Sequence, residues 1–164
     1  MQATDIQVRR MSVVSSRPFD EVVNRLAANV GHPDMTAFNR DMKASRTMAE
    51  LEKLVQAATG PSGLMEFVRF DLGEVLSKEQ GARARRIIRF VVGNPIIMKE
   101  MARTAPDAAS YAPVTILVDQ RADGVHVSYD SMASLIAPYG SEAAIAVARK
   151  LDAKVENLIE TAAA

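Results

Sequence analysis

The stretch Arg89-Phe-Val-Val-Gly-Asn-Pro95 indicates how this chain folds. Its first residues are β-branched or aromatic and are typical of a strand. Gly permits a tight turn, Asn is a favoured helix N-cap, and Pro is a favoured first helical residue. The sequence therefore predicts a strand that passes directly into a helix. The N–H groups of Ile96 and Ile97 would face outward at the positive end of that helix, which suits an anion. The alternative is a helix start that binds nothing.

The composition predicts one ordinary soluble globular domain over residues 1–164, because 48% of the residues are hydrophobic and 24% are charged. Twenty basic residues balance twenty acidic ones, so we expect no nucleic-acid partner and no anionic membrane surface. The chain has no cysteine, which excludes disulfides and thiolate nucleophiles. No apolar run approaches the ~20 residues of a membrane span, and the first residues do not resemble a signal peptide. A cytoplasmic location is the expectation.

Five segments have the composition of strands, and two of them are separated by a turn signal. Residues 6–15, 64–70, 86–92, 113–120 and 125–129 are rich in β-branched or aromatic residues. Ala122-Asp123-Gly124 lies between the last two and predicts an antiparallel hairpin.

Helix starts are indicated at several positions. We expect Ser16 to cap a first helix that has Pro18 in its first turn, and Thr47-Met-Ala-Glu50 to form a capping box. Ser141 precedes a long helix whose apolar residues recur every three or four positions. Residues 31–46 are interpreted as an irregular loop, and residues 73–81 as a polar connector with one helical turn at most. The predicted fold class is α+β, with a largely antiparallel sheet of about five strands and helices packed on one face.

Several of these motifs together resemble the core pattern of the bacterial family known as domain of unknown function 302. They are Phe90-Val-Val-Gly-Asn-Pro95, Ala112-Pro113 before Val114-Thr-Ile-Leu-Val118, Asp123-Gly124, and Ser128-Tyr129-Asp130. Ser15-Ser16 before Phe19-Asp-Glu-Val-Val23 is similar to the first strand-to-helix junction of that family. The resemblance covers roughly residues 1–25 and everything from about Arg85, whereas residues 31–81 depart from it. It implies a small α+β domain that is commonly dimeric and has no settled activity.

Two groups of polar residues resemble catalytic or metal sites but lack the geometry. His126, Ser128 and Asp130 alternate along one predicted strand. Side chains two apart on a strand are ~6.6 Å apart, so a nucleophile and its base would not meet, and the polar face of a hairpin is the preferred interpretation. His32 and Asp34 could bind a metal, but His126 is the only other histidine and no spaced ligand set exists. We expect no metal and no cofactor.

The arginines between residues 83 and 89 and the nine methionines each have two interpretations. The arginines form either a nucleic-acid patch or, as we prefer in a neutral chain with eight aromatic residues, a solvated strand edge or dimer rim. The methionines either fill the core or, like Met98 and Met101 beside the predicted turn, line an adaptable apolar pocket.

Two functions remain open. The first, which we prefer, is a non-catalytic homodimeric module that binds a small, partly apolar anionic molecule. Its candidate binding residues are Gly93, Asn94, Ile96, Ile97 and Tyr129.

The second function is a small cofactor-free enzyme. Asp130 or Glu66 would act as the acid/base and Tyr129 as a hydrogen-bond donor. An enzyme needs titratable groups that converge in one pocket, and no such set is evident from the spacing.

Overall fold

A computed structural model describes residues 3–81 and 85–164 and contains one five-stranded antiparallel sheet. The strand order is β1-β5-β4-β3-β2, so β4 lies at the centre and β1 and β2 form the two edges. The strands are β1 (Arg10–Ser15), β2 (Met65–Asp71), β3 (Ile87–Gly93), β4 (Val114–Arg121) and β5 (Gly124–Asp130).

Seven α-helices occur within the described residues. They are α1 (Phe19–Asn29), α2 (Met35–Ala44), α3 (Met48–Ala58), α4 (Leu72–Gln80), α5 (Pro95–Ala102), α6 (Met132–Ile136) and α7 (Glu142–Ala163). Short 3₁₀ segments, Pro106–Ser110 and Ala137–Tyr139, precede β4 and α7. The predicted α+β class with a five-stranded antiparallel sheet is confirmed.

Three predicted local features, namely the strand-to-helix junction, the hairpin and the cap of the last helix, are also confirmed. β3 ends at Gly93, Asn94 is the N-cap, and α5 begins at Pro95. The predicted hairpin joins β4 to β5, with Arg121 paired to Gly124. Gly124 has a backbone φ of 142°, which residues other than glycine rarely adopt. Ser141 caps the long last helix by accepting a hydrogen bond from the N–H of Ala144.

Three local predictions were wrong. The expected loop at residues 31–46 contains α2, which Asp34 caps by accepting from the N–H groups of Thr36 and Ala37. The expected connector at residues 73–81 lies largely within the nine-residue helix α4. Ser16 does not cap α1, whose N-cap is Pro18 and lacks a side-chain hydrogen bond. The start of α2 could have been predicted, because aspartate is a favoured N-cap that bonds to N–H groups two or three residues further along the chain.

The main core lies between one face of the sheet and helices α1, α5 and α7. Alternate residues of β3, β4 and β5 point into it, as the two-residue period of a strand requires. The buried sheet residues include Phe90, Val92, Val114, Ile116, Val118, Val125, Val127 and Tyr129. A smaller cluster around Phe38, Val55 and Met65 joins α2 and α3 to β2. The opposite face of the central strands is called here the outer face.

A buried carboxylate joins α7 to the end of β5. Asp152 is 6% exposed and accepts hydrogen bonds from the hydroxyls of Tyr129 (2.6 Å) and Ser131 (2.7 Å). It also accepts from the N–H groups of Met132 (2.7 Å) and Ala133 (3.1 Å) at the start of α6. Burial, together with the hydrogen bond to Asp152, raises the pKa of Tyr129 above its ordinary value. The carboxylate therefore holds a strand, a short helix and a long helix together.

We expect Asp152→Ala to lower the free energy of unfolding by about 3 kcal/mol, because it leaves several buried donors without an acceptor. Urea denaturation followed by circular dichroism measures the change. Glu160→Ala, at an exposed position of the same helix, is the control and should change stability by less than about 0.5 kcal/mol. Equal stability of the two variants would show that the network is not needed for folding.

Candidate functional site

The turn at Gly93, Asn94 and Pro95 satisfies its own hydrogen-bonding groups. The side-chain oxygen of Asn94 accepts from the N–H groups of Ile96 (2.9 Å) and Ile97 (3.4 Å). The side-chain nitrogen of Asn94 donates to the carbonyl of Gly63 at 3.0 Å. The two N–H groups that were the expected anion contacts are therefore occupied by the cap. Asn94 also ties the turn to the segment that precedes β2.

Gly93 lies in a closely packed position. A Cβ atom at this buried position would lie 3.1 Å from the Cβ of Pro113 and 3.5 Å from Cε2 of Phe67. The first distance is shorter than ordinary van der Waals contact, so even alanine would displace its neighbour. The turn thus packs closely against the start of β4, and a side chain at Gly93 would need a small shift of Pro113.

A cavity of about 170 Å³, called here the β3–α5 cavity, opens beside this turn. Its walls come from α2, β2, the turn, α5, the start of β4 and α7. The lining residues are Phe38, Asn39, Met42, Phe67, Gly93, Asn94, Pro95, Met98, Met101, Ala112, Pro113, Val114 and Leu151. Apart from two asparagines, these side chains are apolar. Met98 and Met101 thus line a pocket, which was one of the two interpretations considered for them.

The predicted binding residues do not all meet at this cavity. Gly93 and Asn94 line it, whereas Ile96 packs against the α2–α3 cluster and Ile97 against the main core. Tyr129 lies on β5, and its hydroxyl is bonded to Asp152. The structure therefore brings together the turn residues but places Tyr129 in the buried network.

The acid/base candidates of the enzyme hypothesis each have a separate partner. Asp130 forms a two-pronged ion pair with Arg10, at 2.7 and 2.8 Å. Glu66 lies 2.7 Å from Arg69 and 3.7 Å from a ring nitrogen of His32. Neither carboxylate is hydrogen-bonded to Tyr129 in the described part of the chain.

The other polar motifs form separate local contacts. Nε2 of His126 lies 2.9 Å from the carboxylate of Asp123 in the hairpin turn. His126 therefore contacts a turn residue and does not form a catalytic triad with Ser128 and Asp130. Arg86 is bonded to Asp20 at 3.0 Å and its guanidinium stacks on Phe19 at 4.3 Å. Arg83, the first residue of the basic stretch, lies outside the described residues.

The described residues contain neither a cluster of metal ligands nor a membrane-spanning helix. Within residues 3–81 and 85–164, no three His, Cys, Asp or Glu side chains are grouped as metal ligands. No helix in these ranges is long and apolar enough to cross a membrane.

Sequence reasoning missed the α2 wall of the cavity. Phe38 and Met42 come from the segment that was interpreted as a loop. Met35, Phe38 and Met42 have the three- and four-residue spacing of an amphipathic helix, and this signal could have identified them.

Comparison with known proteins is consistent with the fold. Residues 40–162 match the model of the family described as "Domain of unknown function DUF302". This range includes residues 40–81, which the motifs had placed outside the resemblance. The crystal structure of an uncharacterized conserved protein DUF302 from Bacillus stearothermophilus is similar, with a TM-score of 0.65. The match covers 93% of this chain and 97% of that one at 12% sequence identity, so the likeness concerns the fold alone. A comparison with curated proteins found no match.

We expect Asn94→Ala to lower the free energy of unfolding by about 2 kcal/mol, because it removes both the cap of α5 and the bond to Gly63. Asn94→Ser keeps a capping oxygen and loses the longer reach to Gly63, so it should cost only about 1 kcal/mol. Urea denaturation of the three proteins measures both changes. Wild-type stability in Asn94→Ala would contradict a structural role for this side chain.

Proposed function

We propose that this chain, which belongs to the DUF302 family, is a binding module for a small apolar molecule held in the β3–α5 cavity. The observation that carries the proposal is the cavity itself, whose wall includes the Gly93-Asn94-Pro95 turn. Binding sites for small molecules are typically concave and mostly apolar, with a few polar groups that fix orientation.

The size of the cavity suits a ligand of about one ring. Its volume of about 170 Å³ is similar to that of apolar protein cavities, ~150 Å³, that hold benzene. Met42, Met98 and Met101 supply flexible thioether side chains that adapt to the shape of a guest. Sulfur also makes favourable contacts with the edge of an aromatic ring. An aromatic or compact aliphatic molecule is therefore the proposed class of ligand.

The chemistry of the walls favours a neutral ligand over the anionic one expected from the sequence. Asn94 already satisfies the N–H groups of Ile96 and Ile97. The residues that line the β3–α5 cavity include no Lys, Arg or His. A buried anion without a partner is strongly unfavourable. Asn39, at the exposed side of α2, is the polar group best placed to orient a guest.

Fluorobenzene should bind to the wild-type protein and binding should be lost when the β3–α5 cavity is filled. Met98→Phe replaces a flexible lining side chain with a bulkier aromatic ring that occupies part of the cavity. We therefore expect fluorobenzene to bind at least about tenfold more weakly. Titration followed by fluorine NMR measures the affinity, with circular dichroism to show that each variant is folded.

Met48→Phe is the matched control. Met48 is 42% exposed at the start of α3 and does not line the cavity, so the same substitution there should leave binding unchanged. Gly93→Ala, which reshapes the wall next to Pro113, should weaken binding as Met98→Phe does. Unchanged affinity in folded Met98→Phe and Gly93→Ala proteins would refute this site.

We also propose that the protein is a homodimer. The support is the balanced charge of the sequence and the two sheet edges, of which the β2 edge is paired with Gly31 only at its start. Edge strands present unpaired backbone groups to a second chain. Val14 on β1 and Val68 and Phe70 on β2 are exposed apolar residues at these edges. Light scattering should give twice the 17.8 kDa mass of one chain. A single-chain mass at tens of micromolar protein would contradict the proposal.

A further inference from the structure

We infer that the outer face of the sheet carries a second site, in which Arg89 binds the carboxylate of a molecule with an apolar body. This inference does not depend on the β3–α5 cavity, because the two sites lie on different sides of the start of β4.

The site is a cavity of about 490 Å³, called here the outer-face cavity. This volume lies within the ~300–1,000 Å³ range of typical ligand pockets. The strand positions that line it include Arg10, Arg89, Thr115, Leu117, Ser128 and Asp130. The other lining residues are Leu72, Ser110, Tyr111, Pro113, Val114, Tyr129 and Leu135. Pro113 and Val114 line both cavities and separate them.

Arg89 has an incomplete set of partners. It lies on β3 between Phe70 of β2 and Leu117 of β4, and its guanidinium stacks on the Phe70 ring at 4.7 Å. Its Nε atom is buried and has no hydrogen-bond partner, and the side chain forms no ion pair among the described residues. A guanidinium that lines a cavity and forms no ion pair can bind an acidic group that enters the cavity. Arginine pairs with a planar carboxylate through two parallel hydrogen bonds.

The charges around the cavity select the charge of the ligand. Arg10 is opposite Asp130 in the β1–β5 register and binds both oxygens of that carboxylate. This pair is self-neutralising, which leaves the positive charge of Arg89. An anion of single charge therefore matches the outer-face cavity better than a phosphate does.

The walls select the rest of the ligand. Leu72, Leu117 and Leu135 offer apolar surface, and the hydroxyls of Thr115 and Ser128 offer weak polar contacts. A carboxylate with an aliphatic or aromatic body would satisfy both Arg89 and these leucines. Arginine binds carboxylates with charge-assisted hydrogen bonds that a neutral amide cannot reproduce.

The test titrates octanoate, octanamide and inorganic phosphate into the whole protein by amide NMR. We expect octanoate to bind and to shift the signals of Thr115, Leu117 and Ser128, with little effect at Met98. Octanamide, which lacks the negative charge, and inorganic phosphate, which lacks the apolar body, should each bind at least about tenfold more weakly.

Arg89→Gln should weaken octanoate binding by about tenfold or more, and Arg89→Lys, which keeps the charge, by less. Arg46→Gln, at an exposed position between α2 and α3, is the matched control and should bind octanoate as the wild type does. Circular dichroism confirms that each variant is folded.

Four results would overturn the inference: no octanoate binding to folded wild-type protein, equal binding of octanamide, unchanged affinity in Arg89→Gln, or signal shifts confined to the β3–α5 cavity. Loss of dimerisation in Arg89→Gln without octanoate binding to the wild type would identify the outer face as a contact between chains. These results are distinguishable from failure of the first proposal, which concerns fluorobenzene and Met98.

Discussion

The carboxylate of Asp152 connects the parts of this fold that a sheet alone could not hold. It accepts hydrogen bonds from Tyr129 at the end of β5 and from the first N–H groups of α6. The same helix turn carries Leu151, which lines the β3–α5 cavity. The position of α7 on the sheet therefore sets both the end of the core and one wall of the cavity. A charged group is tolerated there because it has several donors, since a buried carboxylate without partners would be strongly unfavourable.

The central strand β4 divides the molecule into two chemical environments. Its inward residues Val114, Ile116 and Val118 belong to the main core, whereas Thr115 and Leu117 face the outer cavity. The alternation is a direct consequence of the strand period. One side of the sheet consequently offers an apolar pocket with methionine walls, and the other offers a guanidinium beside a neutralised ion pair. The two binding proposals concern unlike ligands because the sheet keeps these environments apart.

The similarity to another DUF302 structure at 12% identity shows that this fold occurs with a very different sequence. Cores tolerate extensive exchange of hydrophobic residues when volume and pattern are kept. A fold can therefore persist while most of its individual residues change. A site is more demanding, because it depends on individual side chains such as Met98 and Arg89. For this reason the fold comparison supports the architecture, and the two binding proposals depend on the residues of this chain.

The sequence by itself determined the features that depend on neighbours along the chain: the β3-to-α5 junction at Asn94, the hairpin at Gly124, the cap at Ser141 and the α+β class. It also contained the signal for α2, in Asp34 and the spacing of Phe38, although that signal was missed. Only the tertiary structure decided which acceptor binds the N–H groups of the turn and which side chains form hydrogen bonds with Asp152. It alone brought Arg89 to an open cavity. Caps and turns are made by residues a few positions apart, whereas a cavity is formed by elements far apart in sequence, whose packing no local pattern specifies.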